Sequence, residues 1–91
     1  MRELSRVSIN QTVASISEIL HPVLIDQASN FVIAHNHPSA DSTPSGPDRL
    51  LTKNLAKAVY TMGLQLVDHL IIGRPTRGSQ VYNSFAEKSW L

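Results

Sequence analysis

Two periodicities of hydrophobic and polar residues alternate along the chain, one typical of strands and the other of helices. Residues 3–10 alternate apolar and polar side chains with one slip, which predicts a short strand. Residues 16–28 carry apolar side chains at helical spacing, which predicts an amphipathic helix that Asn30 ends. Ser15 or Ser17 is the expected N-cap of that helix, and Glu18 follows Ser15 at the three-residue spacing of a capping box.

The rest of the chain continues this alternation of strand and helix. The pattern predicts a buried strand over 31–34, a Pro- and Ser-rich loop over 38–47 and a helix over 47–62. A second buried strand over 64–72, a turn over 73–78, a third strand over 80–85 and a tail over 86–91 follow. Pro47 opens the predicted helix, Gly63 caps it, and its apolar face consists of Leu50, Leu51, Leu55, Ala58, Val59 and Met62. The order β-α-β-α-β-β predicts an α/β or α+β domain, a small mixed sheet with two main helices packed on it.

Length and composition limit the class of protein. The chain has 91 residues, enough for one small domain over residues 1–91, and its 42% hydrophobic and 16% charged residues are typical of globular proteins. No apolar run approaches the ~18 residues of a membrane span, and the N-terminal residues lack the apolar core of a signal peptide. The cytoplasm is therefore the expected compartment. Because the chain has no cysteine, any metal site must use His, Asp or Glu.

The charge of the chain bears on nucleic-acid binding. Its net charge is +1, and the basic residues Lys53, Lys57, Arg74 and Arg77 form no dense cluster in the sequence. A dedicated nucleic-acid-binding domain usually carries a basic patch. Direct binding to nucleic acid is therefore not supported by the charge.

Three residues have the spacing of a metal site. His35 and His37 follow a predicted strand, and residues i and i+2 of an extended chain point to the same side, so both imidazoles can converge on one ion. Asp48 follows His37 after a loop that is long enough to return it to the end of the strand. Two histidines and one carboxylate suit zinc and leave its fourth position open for water, as in hydrolytic sites.

Other interpretations of these residues stay open. The two histidines can be ordinary polar loop residues, and Asp48 can be a helix N-cap. Ser45, near the start of the helix, can donate a hydrogen bond to a developing oxyanion. His69 follows Asp68 within a predicted strand, so the two side chains face opposite sides, and one of them can support the site or be purely structural.

The whole string HNHPSADSTPSGPD over residues 35–48 resembles the JAMM (MPN-plus) metalloprotease motif, in which Ser and Asp follow H-x-H-P at fixed spacing. It is most similar to the RadC-like branch, which reads HNHPSG followed by P-S-x-x-D. The resemblance continues at Thr52 and Lys53, in LVDHLIIG over residues 66–73, and in SFAE over residues 84–87. It therefore covers nearly the whole chain.

The resemblance implies zinc ligation by His35, His37 and Asp48, with Ser45 as a catalytic helper. It implies a JAMM-type fold, similar to that of cytidine deaminases. It also implies a zinc metalloprotease that hydrolyses peptide or isopeptide bonds in a protein or peptide substrate. The RadC-like branch is customarily labelled DNA repair, and nothing else in the sequence supports that label.

The sequence departs from the family pattern at three places. Ala40 stands where the family prefers glycine, and Val7 stands where the branch usually has Gly-Thr. JAMM enzymes use a glutamate on an upstream strand as general base, whereas Glu3 aligns with an acidic position in the strand after it. Glu3 is expected to be a solvated strand residue, and a role as the general base is the less favoured alternative. The general base is thus expected to be missing, as in a domain truncated at its N-terminus and lacking the first strand or strands.

This departure leads to a second hypothesis. The chain can be a catalytically impaired metal-binding or protein-interaction module of the same fold. A missing strand would leave a sheet edge open, and open edges pair with further strands, so a homo-oligomer formed through that edge is expected. A third hypothesis, a direct role in DNA repair, rests on the family label alone.

Overall fold

A computed structural model describes residues 4–9, 15–37, 41–74 and 82–91. Its elements are β1 (Leu4–Ile9), α1 (Ile16–Ile25), β2 (Asn30–Asn36), α2 (Gly46–Thr61), β3 (Gln65–Ile72) and β4 (Tyr82–Ser84). The predicted order of strands and helices is confirmed. The fold is the small mixed α/β arrangement expected for a JAMM-type domain, with one four-stranded sheet and two helices. No helix in these ranges is long and apolar enough to cross a bilayer.

The sheet has the order β1-β2-β3-β4, in which the first three strands are parallel and β4 is antiparallel to β3. Crossovers between parallel strands are right-handed, so a sheet built in chain order carries both helices on the same face. Side chains from both helices accordingly share one buried core with β1, β2 and β3, which comprises Val7, Ile19, Leu20, Val23, Ala28, Phe31, Ile33, Leu55, Val59 and Leu66.

Helix α1 ends earlier than its hydrophobic pattern predicts. The capping box of Ser15 and Glu18 is confirmed, but the helix stops at Ile25, and Asn30 begins β2 instead of ending the helix. The chain turns at Gln27, whose φ of 54° lies in the left-handed region, and the Ala28 amide donates back to the carbonyl of Val23. This is a Schellman ending without its usual glycine, so the sequence carries no stop signal there.

Helix α2 begins at Gly46, just before Pro47, and the turn after it contains Gly63 at φ 75°, as its predicted cap requires. Its predicted apolar face is partly wrong, because Leu50 and Met62 are 59% and 47% exposed. The buried side of the helix is instead formed by Asp48, Thr52, Leu55 and Val59. The first turns of α2 thus bury polar side chains against the sheet, which is where the candidate site lies.

Strand β3 contains a bulge that the sequence pattern does not indicate. Phe31 of β2 pairs with Leu66, but the next residue, Val32, pairs with Asp68, so Val67 has no partner across β2. The bulge shifts the alternation, so Leu66 and His69 are both buried although they are three residues apart.

Asp68 ties β3 to the C-terminal turn. Its carboxylate accepts hydrogen bonds from the Ser84 hydroxyl at 2.6 Å and from the Ala86 amide at 3.0 Å. Of the predicted last strand, residues 82–84 are extended, while Phe85 lies in the turn that follows. Residues 80 and 81, and most of the predicted turn over 73–78, lie outside the described residues.

Candidate metal centre

The fold brings the two predicted histidines and the aspartate together at the carboxyl end of the parallel strands. His35 is the next-to-last residue of β2, and His37 follows that strand, where its amide donates to the carbonyl of Ile72 at 2.8 Å. Asp48 lies in the first turn of α2. One nitrogen or oxygen from each of the three side chains lies within 4.8 Å of the other two. In open α/β sheets, ligands bind at this edge.

Asp48 is held by the N-terminus of α2. The amide of Ser45 donates to its Oδ2 at 2.8 Å, and the Asp48 amide donates to the Ser45 hydroxyl at 3.1 Å, which completes a capping box. Burial by itself raises the pKa of this carboxyl, but the hydrogen bonds from Ser45 and the nearby His35 and His37 lower it below its ordinary value. Asp48 is therefore a fully buried carboxylate in the charged form that a metal ion requires.

The orientation of His37 favours a cation between it and Asp48. Its Nδ1 lies 3.1 Å from the carbonyl oxygen of Asp41. Because a carbonyl only accepts hydrogen bonds, Nδ1 must carry a hydrogen, and in the neutral ring Nε2 is then a lone pair. That lone pair lies 3.2 Å from Oδ2 of Asp48, which is also an acceptor. Two acceptors at this distance need a proton or a metal ion between them.

His35 completes the arrangement from the buried side. Its Nδ1 lies 3.0 Å from Oδ1 of Asp48, but the two do not have the geometry of a hydrogen bond. Neither atom has another hydrogen-bond partner in the described part of the chain. Burial is the main cause that lowers the pKa of His35, while the Asp48 carboxylate acts in the opposite direction. A neutral imidazole and a carboxylate that face each other without a hydrogen bond fit a metal ligand pair.

Further side chains pack behind the three residues of this group. The Thr52 hydroxyl donates to the carbonyl of Asp48 at 2.9 Å, so its oxygen accepts a hydrogen from Nδ1 of His69. The ring of His69 is fully buried and stacks between Phe85, at 4.6 Å between centroids, and His35, at 6.0 Å. Burial lowers the pKa of His69 to about 4, and the proximity of His35 adds to the shift. His69 therefore packs against His35 as a neutral ring.

Sequence reasoning found the three clustered residues and missed two groups that orient them. Thr52 lies one helical turn after Asp48, on the same side of α2, and this spacing is the signal that could have found it. The Asp41 carbonyl is a backbone group and carries no sequence signal. Ser45 lies at the N-cap of α2, beside Asp48. Glu3, Pro38 and Ala40 lie outside the described residues.

A comparison with protein families decides the membership of the chain. The family model described as a RadC-like JAB domain matches residues 1–90. The chain belongs to the RadC-like JAB family. Metal binding is usual in this family. Within the described residues, the group formed by His35, His37 and Asp48 could bind a metal ion.

Curated RadC-like relatives agree with this assignment. The chain is 42% identical to a UPF0758 protein of Streptococcus suis over 90% of the chain and 31% of that protein. It is 40% identical to a UPF0758 protein of Porphyromonas gingivalis over 100% of the chain and 38% of that protein. It is 42% identical to UPF0758 protein YeeS of Escherichia coli over 92% of the chain and 53% of that protein. The chain thus spans between 31% and 53% of the length of these relatives, and their names mention no peptidase activity, zinc or DNA repair.

Proposed function

We propose that this RadC-like JAB domain is a zinc-dependent hydrolase that cleaves peptide or isopeptide bonds. The observation that carries the proposal is the pair of acceptors formed by Nε2 of His37 and Oδ2 of Asp48, 3.2 Å apart, with the His37 ring fixed by the carbonyl of Asp41. A metal-binding histidine almost always donates its other ring N–H to a carbonyl, a carboxylate or a water in this way.

The donor set favours zinc and assigns a role to each residue. His35, His37 and Asp48 would hold the ion, since zinc accepts two imidazoles and a carboxylate and leaves a position open. A bound zinc would polarise the amide carbonyl and lower the pKa of a coordinated water to about 7. Ser45 accepts one hydrogen bond through its hydroxyl oxygen, so the hydroxyl hydrogen can donate to the oxyanion that develops on the substrate.

The proton acceptor of the proposed reaction lies outside this set. Several described carboxylates are committed elsewhere: Asp26 accepts from Ser5, Asp68 from Ser84, and Glu18 from the capping box of α1. Asp48 is the proposed ligand itself. The proposal therefore requires a general base other than these four carboxylates, in this chain or in a partner.

Replacement of Ser45 by alanine is expected to separate catalysis from folding. Ser45→Ala should lower kcat by about 10²–10³-fold, the usual cost of losing an oxyanion donor. It should also destabilise the domain by about 1 kcal/mol, because an N-cap is lost. Ser15→Ala is the matched control, since Ser15 caps α1 with the same capping box and does not belong to the metal group. Turnover of a panel of fluorogenic peptides and isopeptides, with zinc and after chelation, measures the effect.

Each outcome of this experiment bears on the proposal. Loss of stability in both variants with loss of kcat only in Ser45→Ala supports it. Equal loss of kcat in both variants, or cleavage that chelation leaves unchanged, contradicts it. Bound zinc with no cleavage of any panel member favours the second candidate, a metal-binding interaction module.

The second candidate is favoured by the position of β1. This strand is the first of the sheet, and within the described ranges it pairs only with β2. An exposed edge of this kind can pair with a strand of another chain, and self-association through β1 is part of this candidate. A monomer at high concentration in analytical ultracentrifugation would count against it.

A further inference from the structure

A groove lies on the outer side of α2, next to the metal centre. It has a volume of about 440 Å³ and is lined by Arg49, Thr52, Lys53, Lys57, Trp90 and Leu91, together with Ala56. Thr52 belongs to both places, because it lines the groove and also binds the carbonyl of Asp48. Arg49 directly follows Asp48 in the chain. Whatever occupies the groove therefore lies against the helix that carries Asp48.

Three cations follow one wall of this groove. Arg49, Lys53 and Lys57 are four residues apart, so they lie on one side of the helix, about 6 Å apart along its axis. The sequence of α2 contains one acidic residue, the buried Asp48, and none of the three cations forms an ion pair within the described part of the chain. The wall is therefore a row of three positive charges, two of which, Lys53 and Lys57, form no dense cluster in the sequence.

Trp90 also lines the groove and gives it apolar surface. The guanidinium of Arg49 lies 4.5 Å from the centre of the indole, and the ring of Phe85 packs against it edge to face at 5.4 Å. These contacts fix the indole in place and cover one of its faces with a cation. The groove thus combines a fixed aromatic surface with a row of positive charges.

We propose that this groove binds an acidic segment of a polypeptide in extended conformation and so selects the substrate of the hydrolase. In an extended peptide, every second side chain lies on the same side, about 6.6–6.8 Å apart, which matches the axial spacing of the three cations. Alternate acidic side chains can face the cations while the apolar residues between them contact Trp90. The role in substrate choice rests on the proposed function, but the binding itself does not.

The observations favour a peptide over a nucleic acid. Strong binding of nucleic acid usually rests on about 6–10 phosphate contacts, and this groove offers three cations. Arg49 also covers a face of the indole on which a base would stack. A short acidic peptide needs only a few charge contacts and a strip of apolar surface, and the groove provides both.

The fluorescence of Trp90 tests this proposal, because it is the single tryptophan of the chain. We expect a peptide that alternates glutamate with leucine to change the emission and to bind about tenfold more weakly to a Lys53→Glu, Lys57→Glu variant. Each exposed charge pair has a modest effect, and charge reversal also adds repulsion. An Arg6→Glu, Arg74→Glu variant is the matched control: it changes the net charge equally outside the groove, and we expect its affinity to stay near the wild-type value.

Four results would overturn the proposal. The first two are a glutamate peptide that does not bind, and a peptide alternating lysine with leucine that binds with the same affinity as the glutamate peptide. The third is an equal loss of affinity for the glutamate peptide in the two double variants. The fourth is binding of an oligothymidylate in place of the peptide. The last result would assign the groove to nucleic acid. The measurement uses the protein without added metal and needs no turnover. The binding result therefore tests the groove even if the protein does not hydrolyse any substrate.

Discussion

Excess zinc is expected to raise the Tm of the wild-type protein by about 10–20 °C and that of a His37→Ala variant by about 3 °C or less. A ligand that binds only the folded state at about 100 times its Kd adds about 2.7 kcal/mol to the free energy of unfolding. For a domain of this size, each kcal/mol raises Tm by about 4–8 °C. Loss of a supporting residue already weakens metal binding by about 10–100-fold. Loss of a ligand is expected to cost at least about 100-fold, which at the same zinc concentration leaves about 0.4 kcal/mol or less.

The size of this effect follows from the geometry of the site. His35 Nδ1 and Asp48 Oδ1 face each other without a hydrogen bond, and His37 Nε2 faces Oδ2 as a second acceptor. An ion between these atoms replaces repulsion with coordination in the folded state alone. His21→Ala is the control, because His21 is an exposed residue of α1 and its loss should leave the zinc-dependent shift intact. Equal shifts in wild type and His37→Ala would contradict the ligand assignment.

The metal-free protein is expected to lose about 3 kcal/mol of its free energy of unfolding between pH 7 and pH 4, mainly through His69. The pKa of His69 is about 4 in the folded state, because burial disfavours the charged ring, against an ordinary value of 6.5. The unfolded chain therefore binds a proton below about pH 6.5 while the folded protein stays neutral until about pH 4, so stability falls as pH falls through this window. One pKa unit corresponds to about 1.4 kcal/mol.

Two neighbouring groups extend this pH dependence in known directions. The lowered pKa of His35 acts in the same sense and starts from the same upper limit of about pH 6.5. The lowered pKa of Asp48 stabilises the fold above the ordinary value of 3.8, and this contribution is lost as pH falls below it. The contributions of His69 and Asp48 to stability therefore occupy different pH ranges, that of His69 above about pH 4 and that of Asp48 below.

Urea unfolding in the presence of a chelator measures the prediction. A His69→Gln variant should show a flatter dependence of unfolding free energy on pH between 7 and 4, whatever its stability at pH 7. His21→Gln removes an exposed histidine and should keep the wild-type slope. The account of His69 is wrong if His69→Gln and wild type lose the same free energy over this range.

Local signals explain why much of the fold is readable from sequence. The capping box of Ser15 with Glu18 predicts the start of α1, and Pro47 predicts the start of α2. The N-cap of α2 is Ser45, and Asp48 lies three residues after it. Gly63 likewise marks the end of α2, because its left-handed φ favours glycine. Such signals act over a few residues and do not depend on the rest of the fold.

The errors arise where tertiary contacts decide. Gln27 adopts a left-handed φ, which its residue type does not predict. The hydrophobic pattern therefore extends the predicted α1 beyond its actual end at Ile25. On α2, Leu50 is exposed although it is expected on the apolar face, and Thr52 is buried instead. The Thr52 hydroxyl is bonded to the Asp48 carbonyl and to His69, and these contacts depend on the tertiary fold. The bulge at Val67 is equally invisible, because it depends on pairing with β2.

The candidate site is likewise predictable from the sequence only in part. The spacing of His35, His37 and Asp48 predicts the group, and the structure brings these side chains together. The carbonyl of Asp41, which fixes the His37 ring, belongs to the backbone and depends on the course of the loop. The groove beside the site also required the structure, since only the helix aligns Arg49, Lys53 and Lys57.

The most direct test of the central claim is the amount of zinc that the protein retains after equilibrium dialysis. We predict one zinc per chain for the wild type and for His21→Ala, and close to none for His37→Ala measured under the same conditions. A wild type that retains no zinc, or a His37→Ala variant that retains as much as the wild type, would contradict the assignment of His35, His37 and Asp48 as the ligands.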